Sequence, residues 1–529
     1  GMFAFAIWDN KKKELILSRD KFGEKPLFYA NDNNGGIIFG STYSALISHP
    51  QVRKNFKIDT ESMYEYLNLN YLLYSKTFSK NIKLLEPSSY ISIKNNNKIS
   101  ILKEKKYWQL NKLLNTNRKI KVHEAKEKFL YLLKKSIKKR LVSDVNTGTY
   151  LSSGTDSSLI ALVIKELYGD KYSLHHLSFK EKNFDESNDV KKLAEEFQLK
   201  PNIYSMPGAS EISNDFPNIV EAMDQPMSDT AFISNFYLSK YSSKASKVVI
   251  SGDGGDELFG GYHRYNLIPS IWKTSKLIPL PFKILSNKFL RLLSPYSFKT
   301  LSFFLKIINK KYSDTLYLES KLEELSESLM SKNFLEMSIS ISNHLPLNYN
   351  PHVVKGNYPI NENLKNEHYY DENNISESLM TYDVENYLPN DLLVKTDRAS
   401  MHYGLEARMP YLDHIVFNFC RSLPLKYKIN KSESKIILKN LLYRYVPKKL
   451  FERPKRGFVV PLANLVLDEN IWIKKLLNEK KIIRQGILNY DLVKKEVESF
   501  IKGNYLNQYI LWDIIMFQQW YDYNEDKIS

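Results

Sequence analysis

At 529 residues and 43% hydrophobic, with 36 Tyr and 27 Phe, the chain can bury several cores and is too aromatic to be disordered. Lys and Arg number 76 against 59 Asp and Glu, a net charge of +17. The lysines are scattered and no arginine run or aromatic–basic motif occurs, so the charge reads as surface composition and no nucleic-acid partner is expected.

The first part is strand-like: MFAFAIWD, KELILSR, PLFYAN and GGIIFGS are short β-type runs separated by DNKKK, DKFGEK and NDNNGG. A sheet made from these alone is small and exposes an edge unless something covers it. A further hairpin pattern follows in LLEPSSYISIKNNNKISILKEKKYW, and the Asn/Lys-rich piece from Leu110 to Arg118 reads as a linker. From His123 an amphipathic helix begins. Strand and helix then alternate through TGTYLS, SSLIALVIKELYG, KYSLHHLSF, ESNDVKKLAEEFQL, PNIYSM and SKVVISG. That alternation predicts a parallel sheet with helices on both faces. Beyond Tyr265 the pattern is mostly helical, broken by an Asn/Pro-rich loop near 345–374. The single cysteine, Cys420 in VFNFCRSLP, excludes a disulfide framework, reads as core and points to a reducing, cytoplasmic setting. No metal-type Cys/His cluster occurs. No apolar run reaches the ~18 residues of a bilayer span, so no membrane partner is expected.

Ligands of parallel α/β sheets bind at the carboxyl ends of strands. One such end is LSSGTDSS, Leu151 to Ser158, which leaves a strand and opens a helix. Free N–H groups there favour an anion, and Ser152, Ser153, Ser157 and Ser158 add hydroxyls. Gly154 permits close approach or a positive φ. If Ser153 needed a positive φ, its side chain would cost about 1 kcal/mol; otherwise its hydroxyl is one more donor. Asp156 repels phosphate unless Mg²⁺ lies between them. A plain Ser/Asp helix cap explains the loop equally well. The other end is ISGDGGDELFGGYHRY, where five glycines alternate with Asp253, Asp256 and Glu257. Like charges so crowded call for a cation, and Asp156 with Asp256 can face one Mg²⁺ if their strands are neighbours. Two more clusters are KTDRASMHYGLEARMPYLD, whose Glu406 and Arg408 are candidate substrate contacts, and the basic stretch from Ser434 to Leu462. In the latter, Lys435 and Lys439 stand one helical turn apart and RPKRGFVVP forms a basic loop.

LSSGTDSS resembles the S-G-G-x-D-S pyrophosphate loop of N-type ATP pyrophosphatases. SGDGGDELFGGYHRY, DRASMHYGLEARMPYLD and RPKRGFVVPL look like the later signatures of glutamine-dependent asparagine synthetases, in the family's order. The start, GMFAFAIWD to KPLFYA, resembles the end of that family's N-terminal glutaminase domain. The resemblance implies an α/β fold with two parts. A parallel-sheet ATP-pyrophosphatase domain (adenine nucleotide alpha-hydrolase-like) with a large helical C-terminal part would span 123–529. A partial, β-rich Ntn-type glutaminase domain would precede it over 1–115. The implied reaction uses ATP and Mg²⁺ to turn aspartate into β-aspartyl-AMP and pyrophosphate, after which ammonia displaces AMP to give asparagine. By position, Ser152, Ser153, Gly154, Asp156, Ser157 and Ser158 would cradle the pyrophosphate. Asp156 and Asp256 would hold Mg²⁺, and Leu151, Phe179, Ser251 and Gly252 would line the adenylate site. Lys435 would meet the α-phosphate, and Asp253, where the family often has Glu, would be the base for ammonia. A homodimer is the assembly to test.

Two departures shape the expectation. The family's glutaminase opens on a catalytic cysteine, whereas Gly1 begins well inside the matching region, so the chain as given is expected to use ammonia, with glutamine only if a complete glutaminase domain is supplied. A truncated gene product is the first explanation, and a split or ammonia-only enzyme the alternatives. Thr42 in GSTYSAL also replaces a Glu usual in the family. Alternative readings are amidation of another carboxylate, such as a uronic acid of a surface polysaccharide, an RNA-modifying pyrophosphatase-type enzyme, and a non-catalytic remnant.

Overall fold

The computed structural model describes all residues except 33–35, 74, 96–98, 102–103, 111–118, 182–183, 286–327, 343–370, 452–461, 463–472, 474, 503–507 and 529. The linker expected at Leu110 to Arg118 and the basic RPKRGFVVP therefore lie outside the described residues, save Leu110.

The amino-terminal runs form the strands their alternation predicts. β1 (Ala4–Asp9), β2 (Glu14–Arg19), β3 (Phe28–Asn31) and β4 (Ile37–Gly40) are followed by three helices, α1 (Tyr43–Ile47), α2 (Pro50–Lys54) and α3 (Thr60–Leu69). β5 (Ile82–Leu84), β6 (Ser89–Asn95), β7 (Ile99–Ile101) and β8 (Lys105–Lys106) complete this part. All pairings are antiparallel, in the orders β1-β2-β6-β7, with β8 also on β6, and β4-β3-β5. The expected edge is β1, where Ile7 and Trp8 are about half exposed. The DNKKK turn closes because Asp9 accepts from the N–H groups of Lys11 and Lys12.

α4 (Val122–Arg140) buries Ala125, Phe129, Leu133 and Ile137, an i, i+4 stripe, and ends in Lys138, Lys139 and Arg140, which suit its negative C-terminus. Alternation then proceeds as expected through β9 (Thr147–Tyr150), α5 (Thr155–Tyr168), β10 (Ser173–Ser178), α6 (Ser187–Phe197), β11 (Pro201–Ser205), α7 (Ala209–Met223), α8 (Ala231–Ser242), β12 (Val248–Ile250), α9 (Gly255–Phe259) and α10 (Arg264–Lys276). A short strand, β13 (Glu406–Arg408), joins far later in the chain. The sheet is wholly parallel, ordered β11-β10-β9-β12-β13. Both faces are covered: Leu174 of β10 packs into a core with α4, α5 and α6, and Leu177 into one with α7 and α8.

The two parts of the chain are not packed as separate bodies. Tyr43, Leu46, Met63 and Tyr66 of the amino-terminal helices share a core with α7, α8 and the last helix, Gln508–Ile528, while Phe22 enters the core on the other face of the parallel sheet. Asp224 accepts from the N–H groups of Tyr43 (2.6 Å) and Ser44 (2.8 Å), capping α1 from across this boundary. Thr42, where the family resemblance led one to look for Glu, is the N-cap of α1.

Candidate active site

The order β10-β9-β12 sets three strand ends side by side. Leu151 follows β9, Phe179 follows β10, and Ser251 and Gly252 follow β12. Leu151 and Phe179 are buried. The proposed adenylate-lining residues thus lie along one edge of the sheet.

The serine loop is held largely by its own hydroxyls. Ser152 and Ser157 share a hydrogen bond of 2.7 Å, Gly154 N–H donates to Ser152 Oγ (3.1 Å), and Ser158 Oγ donates to the Ser152 carbonyl (3.0 Å). Gly154 has φ −74° and ψ 152°, ordinary extended backbone. Ser153 is not among the non-glycine residues of positive φ, so serine there carries no left-handed strain. Its N–H donates to the Glu186 carboxylate at 3.1 Å: the loop already attracts an anion.

The second loop interlocks with the first. A Cβ on Gly255 would lie 2.6 Å from Asp156 Oδ1, and one on Gly261 would lie 1.8 Å from Asp256 Oδ1 and 2.2 Å from Lys435 Cε. Only glycine permits that approach. The Lys435 ammonium is bonded to the Asp156 carboxylate and lies 2.7 Å from Asp256 Oδ1. Burial would lower its pKa, but the two carboxylates outweigh that and raise it above the ordinary lysine value. Its backbone is left-handed, φ 55° and ψ 36°, at the N-cap of Ile436–Leu442. For a non-glycine residue that costs about 1 kcal/mol, a strain typical of functional positions.

The three acids of SGDGGDE do not converge, contrary to their crowding in sequence. Asp256 turns to Lys435. Glu257, almost fully buried, accepts from Tyr262 OH at 2.6 Å, and burial together with Asp256 pushes its pKa up to about 8. Asp253 Oδ2 accepts from Ser251 Oγ and Thr396 Oγ1, both at 3.0 Å. Its pKa is raised by burial, against the pull of these hydroxyls. Among the described residues no group of three or more His, Cys, Asp or Glu is arranged to hold a metal. Asp156 and Asp256, converging on one cation, are a donor pair that suits Mg²⁺ completed by phosphate oxygens and water.

Other candidates go elsewhere. Lys439 turns to Glu433 at 3.8 Å. Arg408 bonds Glu406 (2.7 Å) and donates to the carbonyls of Arg140 (2.7 Å) and Val142 (2.8 Å), capping the C-terminus of α4. The pair lines an open depression of about 440 Å³ with Lys247 and Val248, at the amino end of β12. Glu406 and Arg408 therefore do not join the cluster around Lys435. Cys420 is buried, and burial raises its thiol pKa. Sequence reasoning missed Asp229 and Asp391, and it singled out KTDRASMHYGLEARMPYLD without giving Thr396 a role. The i, i+4 spacing of Asp391 and Lys395 was a legible signal for one of them; nothing local marked Asp229.

Fold and site define a mixed α/β protein with a charged cluster at the carboxyl edge of a parallel sheet. The family model described as asparagine synthase matches residues 128–522, and that of a glutamine amidotransferase domain matches 1–108. The chain belongs to the asparagine synthase family. It is 27% identical to the glutamine-hydrolyzing asparagine synthetase 1 of Bacillus subtilis (strain 168), over 100% of this chain and 78% of that one. A putative glutamine-hydrolyzing asparagine synthetase of Mycobacterium tuberculosis (strain ATCC 25618 / H37Rv) is 26% identical, over 98% and 76% respectively. The amidase chyE of Penicillium rubens is 22% identical over 94% and 75%. Among the described residues no helix is long and apolar enough to cross a membrane.

Proposed function

We propose that this chain is an ATP-dependent carbon–nitrogen ligase that converts aspartate to asparagine, with residues 123–529 acting as an ATP-pyrophosphatase-type unit and 1–115 as part of an Ntn-type glutaminase domain. One observation carries this reading: Lys435 held between Asp156 and Asp256, beside a serine loop at adjacent strand ends. A β-carboxylate oxygen of aspartate attacks the α-phosphorus of ATP, and the bond to the leaving pyrophosphate breaks. Lys435 stabilises charge on the α-phosphate oxygens. The N–H groups and hydroxyls of Ser152 to Ser158 receive the pyrophosphate. Asp156 and Asp256 would hold Mg²⁺, whose chemistry is neutralisation of the leaving group. Ammonia then forms a C–N bond at the β-carbonyl, the bond to AMP breaks, and Asp253 takes the proton lost by nitrogen. Cys420 is buried and takes no part in these steps.

The test supplies purified chain with ATP, Mg²⁺, aspartate and ammonium. Pyrophosphate and asparagine should form together. Absence of aspartate-dependent pyrophosphate release overturns the reading. Release with a uronic acid instead of aspartate would redirect it to another acceptor.

A further inference from the structure

Asp253 is supported from behind by a feature outside the recognised loops. The π-helix Asp383–Leu392 runs into the helix Leu393–His402, which carries Lys395 and Thr396. Lys395 is buried, with its ammonium bonded to Asp229 and 3.7 Å from Asp391 Oδ2. Thr396, the next residue, donates its hydroxyl to Asp253 Oδ2 at 3.0 Å, and Ser251 donates to the same oxygen. Among the described residues no donor reaches Oδ1.

This arrangement has a chemical logic. A carboxylate in a direct lysine ion pair is a weak base. Here the lysine is already neutralised by its own two aspartates, and only neutral hydroxyls touch Asp253. Two donors on Oδ2 fix the plane of the carboxylate and leave Oδ1 as the oxygen able to take a proton. The charged or titratable groups around Asp253 are Lys395, Asp256 and Tyr150.

We propose that Thr396, on a backbone anchored by Lys395 between Asp229 and Asp391, is a positioning residue that aims Asp253 for the ammonia step and for that step alone. The inference rests on the ligase reading above. Its consequence is uncoupling. Thr396→Val, which keeps the β-branched shape and removes the hydroxyl, should lower asparagine formation about 10- to 100-fold, the scale of a misplaced catalytic group. Aspartate-dependent exchange of labelled pyrophosphate into ATP should stay within about 3-fold, because the adenylation step does not use Asp253. Thr396→Ser should restore amide formation. Thr396→Val combined with Asp253→Asn should be no slower than Asp253→Asn alone, since the threonine acts through that carboxylate. The inference is overturned by unchanged asparagine formation in Thr396→Val, by equal loss of exchange and amide formation, by a raised KM for aspartate with unchanged kcat, or by additive loss in the double variant. Wild-type chain with neither exchange nor asparagine formation would instead sink the ligase reading.

Discussion

Two lysines in this molecule each sit between two aspartates, and they differ in how they are built. Lys435 joins Asp156 and Asp256 from three segments far apart in sequence, at strand ends separated by glycines. Lys395 joins Asp391, one helical turn before it, and Asp229. In both clusters the carboxylates overcome burial and raise the lysine pKa. In the second cluster burial pushes Asp391 up to about 7, while Lys395 overcomes burial at Asp229 and draws it below its ordinary value. Burial and the neighbouring carboxylate thus favour the protonated form of Asp391, and the lysine favours the charged form of Asp229. The first cluster has the makings of a site whose cation can be exchanged, and the second of a structural anchor.

The strongest way to break this contrast is Lys435→Met. Losing a charge aimed at the α-phosphate should reduce both pyrophosphate exchange and asparagine formation by about 10²- to 10³-fold, with a smaller fall in thermal midpoint than at Lys395, because the side chains of Asp156 and Asp256 keep 15% and 19% of their surface exposed against 1% for Asp391. Lys395→Met should do the reverse in stability. Removing the cation from a buried cluster should cost about 3 kcal/mol, read as a lower urea midpoint. If both variants lose equal stability, the distinction between site and anchor fails.

Gly261→Ala sharpens the first half of the comparison. Its methyl would overlap Asp256 Oδ1 and Lys435 Cε, so exchange activity should fall sharply, with a stability loss of about 1–3 kcal/mol from overpacking. Wild-type exchange in this variant would mean that the loops do not hold that approach in solution.

Glu24 offers a single-acid counterpart. It is buried, its nearest cation is Arg140 at 3.7 Å, and burial pushes its pKa up to about 8 from 4.5. The folded state then holds a proton that the unfolded chain releases above about pH 4.5, so this group's contribution is full below that pH and is lost as pH rises towards 8. Stability should fall across that window, by at most about 1.4 kcal/mol per pH unit. Glu24→Gln should flatten the thermal midpoint against pH there; an unchanged slope refutes the assignment. The smallest effect belongs to Ser153→Gly. As Ser153 is not left-handed, glycine brings no relief and costs roughly 0.5–1 kcal/mol of backbone entropy, with KM for ATP within about 2-fold. A large gain in ATP affinity would show that the loop must change conformation to bind.

Much of this was legible. The alternation from His123 onward specified a parallel sheet, and the two strand-end loops stood out by their serines, glycines and acids. The short amino-terminal helices α1 to α3 did not, because their apolar residues are shared with distant helices and form no long period of their own. Glu406 and Arg408 misled because a charge pair next to Pro and Tyr reads the same whether it lines a pocket or caps a helix.

What the sequence by itself determined was local: element type, strand-end chemistry, and a cysteine placed among apolar neighbours. The tertiary structure alone decided which acids meet. Neighbouring of β9 and β12 lets Asp156 and Asp256 face one ammonium while Asp253 and Glu257, only a few residues away, turn to Thr396 and Tyr262. Charge repulsion and burial favour giving each carboxylate its own partner, and those partners come from segments that no local spacing connects.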